Sequence, residues 1–268
     1  MKLNKTLTTS ALLAMLPMAA NAVIVYQDTF DDGDIATNSG IGGGFSQAIG
    51  LGTGFTEAGG SIDADTSVNN NRAFGFSTNT FDLSTGFTLE FTANASALGN
   101  NSANRFSVGL AAAGADFATF SVSGRNFLGD NRAAFEGVGI DFTTDQGQGL
   151  SYNDGLGNPP VIPGGPVGTV TVLSNAQTIT ASTDLAVSLT VAADGSYSYS
   201  INDAPATTGA AFGLDLSQEY HFATYFQDNL GNFSISEVTL STLDPVPEPS
   251  STALLGLGGL ALILRRKK

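Results

Sequence analysis

Cysteine and tryptophan are both absent, histidine occurs once, and lysine is confined to the two ends of the chain. Without cysteine there is no disulfide framework, no thiolate nucleophile and no cysteine-ligated zinc centre. Charge is scarce as well: 13% of the 268 residues are charged, against a usual share of about a quarter. What charge there is has one dominant sign. Lys2 and Lys5 open the chain and Arg265, Arg266, Lys267 and Lys268 close it. Only Arg72, Arg105, Arg125 and Arg132 stand between them, facing 24 acidic residues. That stretch carries about −20, which repels a phosphate backbone and excludes nucleic acid as a partner. Hydrophobic residues still make up 42% of the chain, enough to bury a sizeable core.

Residues 1–22 run from Lys2 and Lys5 through Leu12-Leu13-Ala14-Met15-Leu16 to Ala20-Asn21-Ala22. A charged start, a short apolar run and an Ala-x-Ala site make a signal peptide, so cleavage after Ala22 leaves Val23 first. The alternative is an amphipathic N-terminal helix. Export without cysteine fits a protein that does not rely on disulfides.

At the other end, Val246-Pro247-Glu248-Pro249-Ser250 precedes an uncharged stretch from Ser251 to Leu264 and the cations Arg265 to Lys268. As a helix, about 14 residues span about 21 Å, short of the ~30 Å hydrocarbon core. The terminal cations can snorkel and hold the chain end on the cytoplasmic side. Pro247 and Pro249 keep the preceding segment extended, the form a protease grips. These parts, in this order, resemble the PEP-CTERM sorting signal, with Pro247, Glu248, Pro249, Arg265 and Arg266 matching its motif. The resemblance implies recognition by an exosortase, a membrane-embedded cysteine protease that removes the tail. It further implies an inner-membrane-anchored precursor that reaches the surface or extracellular matrix of an exopolysaccharide-making Gram-negative bacterium. A plain membrane anchor is the alternative.

Residues 23–243, between the signal peptide and a tail of 244–268, show alternation at period two. Phe87, Leu89 and Phe91 point one way while Thr88, Glu90 and Thr92 point the other. Phe106-x-Val108-x-Leu110 and Val138-x-Ile140-x-Phe142 repeat the pattern. Asp194-Gly195 between two alternating runs predicts a tight hairpin. No segment sustains a helical period with caps, so the prediction is all-β, a two-sheet antiparallel sandwich. The segments Tyr26–Gly33, Phe81–Phe91 and Leu185–Ile201 resemble strands of concanavalin A-like and laminin-G-like jelly rolls. An immunoglobulin-type sandwich or a β-helix is the alternative, the latter disfavoured by the lack of a fixed-period repeat.

Such folds include glycosidases, which need two carboxylates flanking the scissile bond. Glu90 stands alone on its strand, and Glu57, Glu219 and Glu237 show no close same-face partner. Glu136 and Asp141 are oddly spaced and fall on opposite faces unless a bulge intervenes. His221, between Tyr220 and Phe222, reads as structural. These patterns predict no catalytic residue; a carbohydrate-active enzyme is the alternative, and a same-face carboxylate pair in a cleft would favour it. For hard cations the acids near the N-terminus are the candidates. By analogy with similar sandwiches, Asp28, Asp31 and Asp244 are candidates to hold a structural calcium between the first and last strands; the alternative, favoured by residue preference, is turns rich in Asp because Asp suits turns. For exopolysaccharide, Tyr152 in the predicted loop Gly149–Gly155 and Tyr225 near Gln227-Asp228-Asn229 have the best settings, each near amide or carboxylate side chains able to orient a sugar; the alternative, favoured for each, is a core tyrosine.

Both ends predict processing. Intact-mass measurement of protein recovered outside the cell should find Val23 first and the chain ending near Glu248. A species that keeps Arg265–Lys268 outside the cell would instead mark a simple anchor.

Overall fold

The computed structural model describes residues 22–243 apart from 39, 52–53, 65–70, 96–104, 115–135, 144–146, 155–169, 178–183, 203 and 229–232. Both processing segments therefore lie outside the described residues, except Ala22 and Val23. Within them the alternating runs form strands and no helix. Sheet I contains β1 (Val23–Asp28), β3 (Phe55–Ala58), β4 (Ser61–Ala64), β7 (Gly86–Ala95), β12 (Asp184–Ala192), β13 (Tyr197–Ile201), β14 (Thr207–Gly209) and β16 (Phe233–Thr242). Sheet II contains β2 (Phe45–Leu51), β5 (Asn71–Ser77), β6 (Phe81–Asp82), β8 (Arg105–Ala112), β9 (Glu136–Thr143), β10 (Gly147–Asp154), β11 (Val170–Gln177) and β15 (Glu219–Asp228).

Every pairing is antiparallel, in the orders β14-β13-β12-β7-β16-β4-β3 and β11-β10-β9-β8-β15-β5-β2, with β1 on β16 and β6 on β15. The two-sheet sandwich is what the alternation demanded. The first and last strands are neighbours, Val23 opposite Thr242 and Asp28 opposite Val238.

The inward faces of the strands feed a single core. Phe87, Leu89 and Phe91 of β7 are buried with Phe106, Val108 and Leu110 of β8 and Val138, Ile140 and Phe142 of β9. Among the described residues, aromatic rings from opposite sheets meet repeatedly along the interface. Tyr26 stacks on Phe222 at 5.2 Å between centroids, and Phe106 on Phe233 at 4.5 Å. Phe55 meets Phe226 edge-on at 4.6 Å, and Phe91 meets Phe142 at 6.4 Å. Such pairs add about 0.5–1.5 kcal/mol each beyond the area they bury. Gly75 makes room for this layer, since a methyl group there would enter the rings of Phe45 and Phe55.

The β12–β13 connection is one residue longer than the tightest hairpin. Ala192 and Ser196 close a three-residue loop in which Gly195 adopts φ 80°, the position that needs glycine. The Asp194 carboxylate accepts from the Ser196 backbone N–H at 2.9 Å and from its hydroxyl at 2.6 Å, stiffening the turn.

On one side β16 pairs with β7 along its length; on the other it changes partner. Its first half pairs with β4 through Ser234 and Ile235, and its second half with β1. Register against β7 slips between Ser236 and Thr239, and Glu237 takes a left-handed φ of 53° there. A bulge of this kind lets one strand serve two neighbours and throws its extra residue outward.

Phe222 touches the rings of Tyr26 and Phe45 at the centre of the core. Phe222→Ala should cost about 3–5 kcal/mol in urea unfolding, the range for burying a void in place of a ring. Thr88→Ala, on the outer face, should change stability by less than about 1 kcal/mol.

Candidate functional site

Sending every second residue inward leaves hydroxyl groups on the outer face of sheet I. Pairing register lines up Gln27, Thr239, Glu90, Ser188 and Ser200 in one row across β1, β16, β7, β12 and β13. A parallel row carries Ser241, Thr88, Thr190 and Ser198, with the Thr88 and Thr190 hydroxyls 3.0 Å apart. A groove of about 520 Å³ lies over the first row. No strand of sheet I contains a lysine or arginine.

Two of the three non-glycine residues with positive φ line this groove. Asn202 has φ 53°, and its side chain accepts from the Ala186 N–H at 2.9 Å while its own N–H donates to the Ala186 carbonyl at 2.6 Å. Glu237 sits at the β16 bulge with φ 53°, a conformation that is costly for a residue of its kind. The bulge also corrects the sequence expectation about carboxylates. Glu237 and Glu90 line the same groove, and both are exposed. Serine and threonine hydroxyls both donate and accept, whereas the two carboxylates only accept, so the groove suits a ligand rich in hydroxyl groups.

The N-terminal acids form a turn. Asp28 is 3% exposed and faces the core. One of its oxygens accepts from the Phe30 N–H at 2.9 Å and the other from the Tyr26 hydroxyl at 3.1 Å. These bonds hold buried Phe30 at its positive φ of 52°. Burial raises the Asp28 pKa; the Phe30 and Tyr26 bonds oppose the rise, and Asp32 and Asp31 add to it. Glu57 is likewise raised, first by burial, against the Gly33 N–H that it accepts at 2.8 Å. Asp31 is exposed, and Asp244 lies outside the described residues. Each Asp28 oxygen thus accepts one hydrogen bond from its own segment. Among the described residues no group of three acidic or histidine side chains is placed to hold a metal.

The two tyrosines part company. Tyr152 belongs to β10 rather than to a loop, with its backbone in register with Val138 and Thr171. Tyr225, on β15, is only 2% exposed and offers no free ring face for a sugar to stack on. Alternation concealed this, because β15 is buried on both faces over Phe222 to Phe226. The same doubly buried strand explains His221, whose Nδ1 donates to the Ser77 carbonyl at 2.7 Å while its ring meets Phe76 edge-on. Ser77 in turn accepts from the Phe222 N–H at 3.0 Å, tying β15 to the end of β5. Ala22 and Val23 are exposed at the start of β1, while Ala20, Pro247, Glu248, Pro249, Arg265 and Arg266 lie outside the described residues.

The sandwich has a jelly-roll fold like that of lectin and concanavalin-like domains. The chain is similar to the Emp47p carbohydrate recognition domain, with 14% identity over 82% of this chain and 96% of that one and a TM-score of 0.54. It is also similar to basic winged bean lectin, solved with Tn-antigen, with 9% identity over 84% of this chain and all of that one, at 0.54. The VIP36 exoplasmic/lumenal domain, solved in a Ca²⁺/Man3GlcNAc-bound form, aligns at 10% identity over 78% of this chain and 87% of that one, at 0.52. At these identities the likeness is one of fold. Residues 245–268 match the PEP-CTERM protein-sorting motif, the mark of an exported protein sorted to the membrane and cell surface. No curated protein matches the chain significantly. No helix among the described residues is long and apolar enough to cross a membrane.

Because the folded state raises the Asp28 pKa, its stabilising contribution is complete below the ordinary aspartate value of about 3.9 and is lost as pH rises through the folded value. Asp28→Asn keeps an acceptor for Phe30 and supplies a donor for Tyr26. Its melting temperature should match or exceed wild type at pH 7, with the gap closing towards pH 4. The opposite pattern, loss at pH 7 together with a fall on chelation in wild type alone, would make Asp28 a calcium ligand.

Proposed function

We propose that the protein is a non-catalytic glycan-binding module that works outside the cell. The observation that carries this reading is the hydroxyl-lined groove on sheet I, set on a lectin-like sandwich in a chain with a PEP-CTERM sorting motif. Its partner is exopolysaccharide of the surrounding matrix, and its host is a Gram-negative bacterium. The tail is removed by an exosortase-type protease after a transient stay in the inner membrane.

A non-catalytic role is supported by the setting of the groove's carboxylates. Glycoside hydrolysis needs two carboxyl groups flanking the scissile bond at a fixed separation. Glu90 and Glu237 are both exposed on the groove lining, outside the closed cleft in which a glycosidase grips its scissile bond. A carbohydrate-active enzyme is the second reading, and the presence of both carboxylates in one groove is what favours it.

One experiment separates them. The exported protein is incubated with exopolysaccharide from its own cells, and both retention and reducing ends are measured. Retention with no new reducing ends is expected. Release of reducing sugar that disappears in Glu90→Gln would establish the enzyme, and neither retention nor release would leave a passive structural protein.

A further inference from the structure

We infer that the groove on sheet I, not a tyrosine platform, is the glycan site, and that it takes an uncharged polysaccharide lying across the strands. This rests on the reading of the protein as a glycan binder and assigns that reading a place and a ligand class. The row from Gln27 to Ser200 crosses five strands, and at about 4.8 Å between neighbours it is about 19 Å long. Its donors and acceptors therefore repeat along a line, which suits a repeating chain better than a single terminal sugar. Glu237 and Asn202, held at left-handed φ on the groove lining, are where backbone strain is retained.

Charge selects among polymers. Sheet I contributes no lysine or arginine, while Glu90 and Glu237 stand in the groove itself. Uronate, sulfate or phosphate groups would meet like charge with no lysine or arginine in the sheet's strands to neutralise it. Neutral hydroxyls instead find carboxylate acceptors and hydroxyl partners of both kinds. The same charges disfavour a second copy of the chain as occupant. A two-fold contact centred on the groove would bring Glu90 and Glu237 close to their own counterparts, again without a cation in the sheet.

The test uses the exported protein with three neutral probes, dextran, mannan and a soluble β-glucan, and alginate as the anionic one. Ser188→Tyr fills the groove floor from a partly exposed position, and Thr56→Tyr on β3 adds the same bulk away from it. Wild type and Thr56→Tyr should bind at least one neutral probe equally and ignore alginate. Ser188→Tyr should bind at least about tenfold more weakly with an unchanged melting temperature, since it blocks several hydrogen bonds at once. Affinity for oligosaccharides of that probe should rise with length until the row is spanned and then level off. Equal binding by Ser188→Tyr would overturn the groove while leaving glycan binding intact. A wild type that binds neither these probes nor its own exopolysaccharide would overturn both readings. Dimers of wild type that Ser188→Tyr dissociates would make this face a contact between copies instead.

Discussion

With no cysteine to bridge them and no tryptophan to fill the space, the two sheets are joined by phenylalanine and tyrosine rings that meet across the interface. Tyr26 on Phe222, Phe55 on Phe226, Phe91 on Phe142 and Phe106 on Phe233 distribute these contacts along the sandwich. Each ring must project inward, so the residue on either side of it in a strand of sheet I must project outward. The polar outer face is thus a geometric consequence of the core. Its serines and threonines occupy the positions that the rings leave over, and pairing register turns them into rows.

Regular pairing alone would give a flat polar carpet. The groove arises beside a defect, where β16 exchanges β4 for β1 as its outer neighbour and slips against β7 to do so. The slip turns Glu237 outward at positive φ and brings it to the groove that Glu90 also lines. At the N-terminal turn a second strained residue, Phe30, is stabilised by Asp28. The acid that looked most like a metal ligand is engaged there in holding a core ring in place.

Charge ties the body to its destination. Four of the ten basic residues lie in the matched sorting motif and two near the N-terminus, and the stretch between them is strongly acidic. That stretch has only four arginines with which to hold an acidic polymer, so the proposed contact with a glycan rests on hydrogen bonding.

Local information was sufficient for the class of fold and the C-terminal sorting motif. Period-two alternation in β7, β8, β9, β12 and β13 reads directly as half-buried strands, because side-chain direction in a strand depends only on sequence parity. The same parity makes Thr88, Glu90, Ser188 and Ser200 legible as outward residues. The sorting motif is a linear signal and needs no fold to be read. Tertiary structure decided the rest, since it depends on which strands become neighbours. No spacing rule pairs Glu90 with Glu237, because they are 147 positions apart and a bulge breaks the parity of β16. Nor could parity reveal that β15 is covered on both faces, burying Tyr225, or that Asp28 would spend its oxygens on Tyr26 and Phe30. Sequence sets which way each side chain points; only the packed sheets determine what it meets.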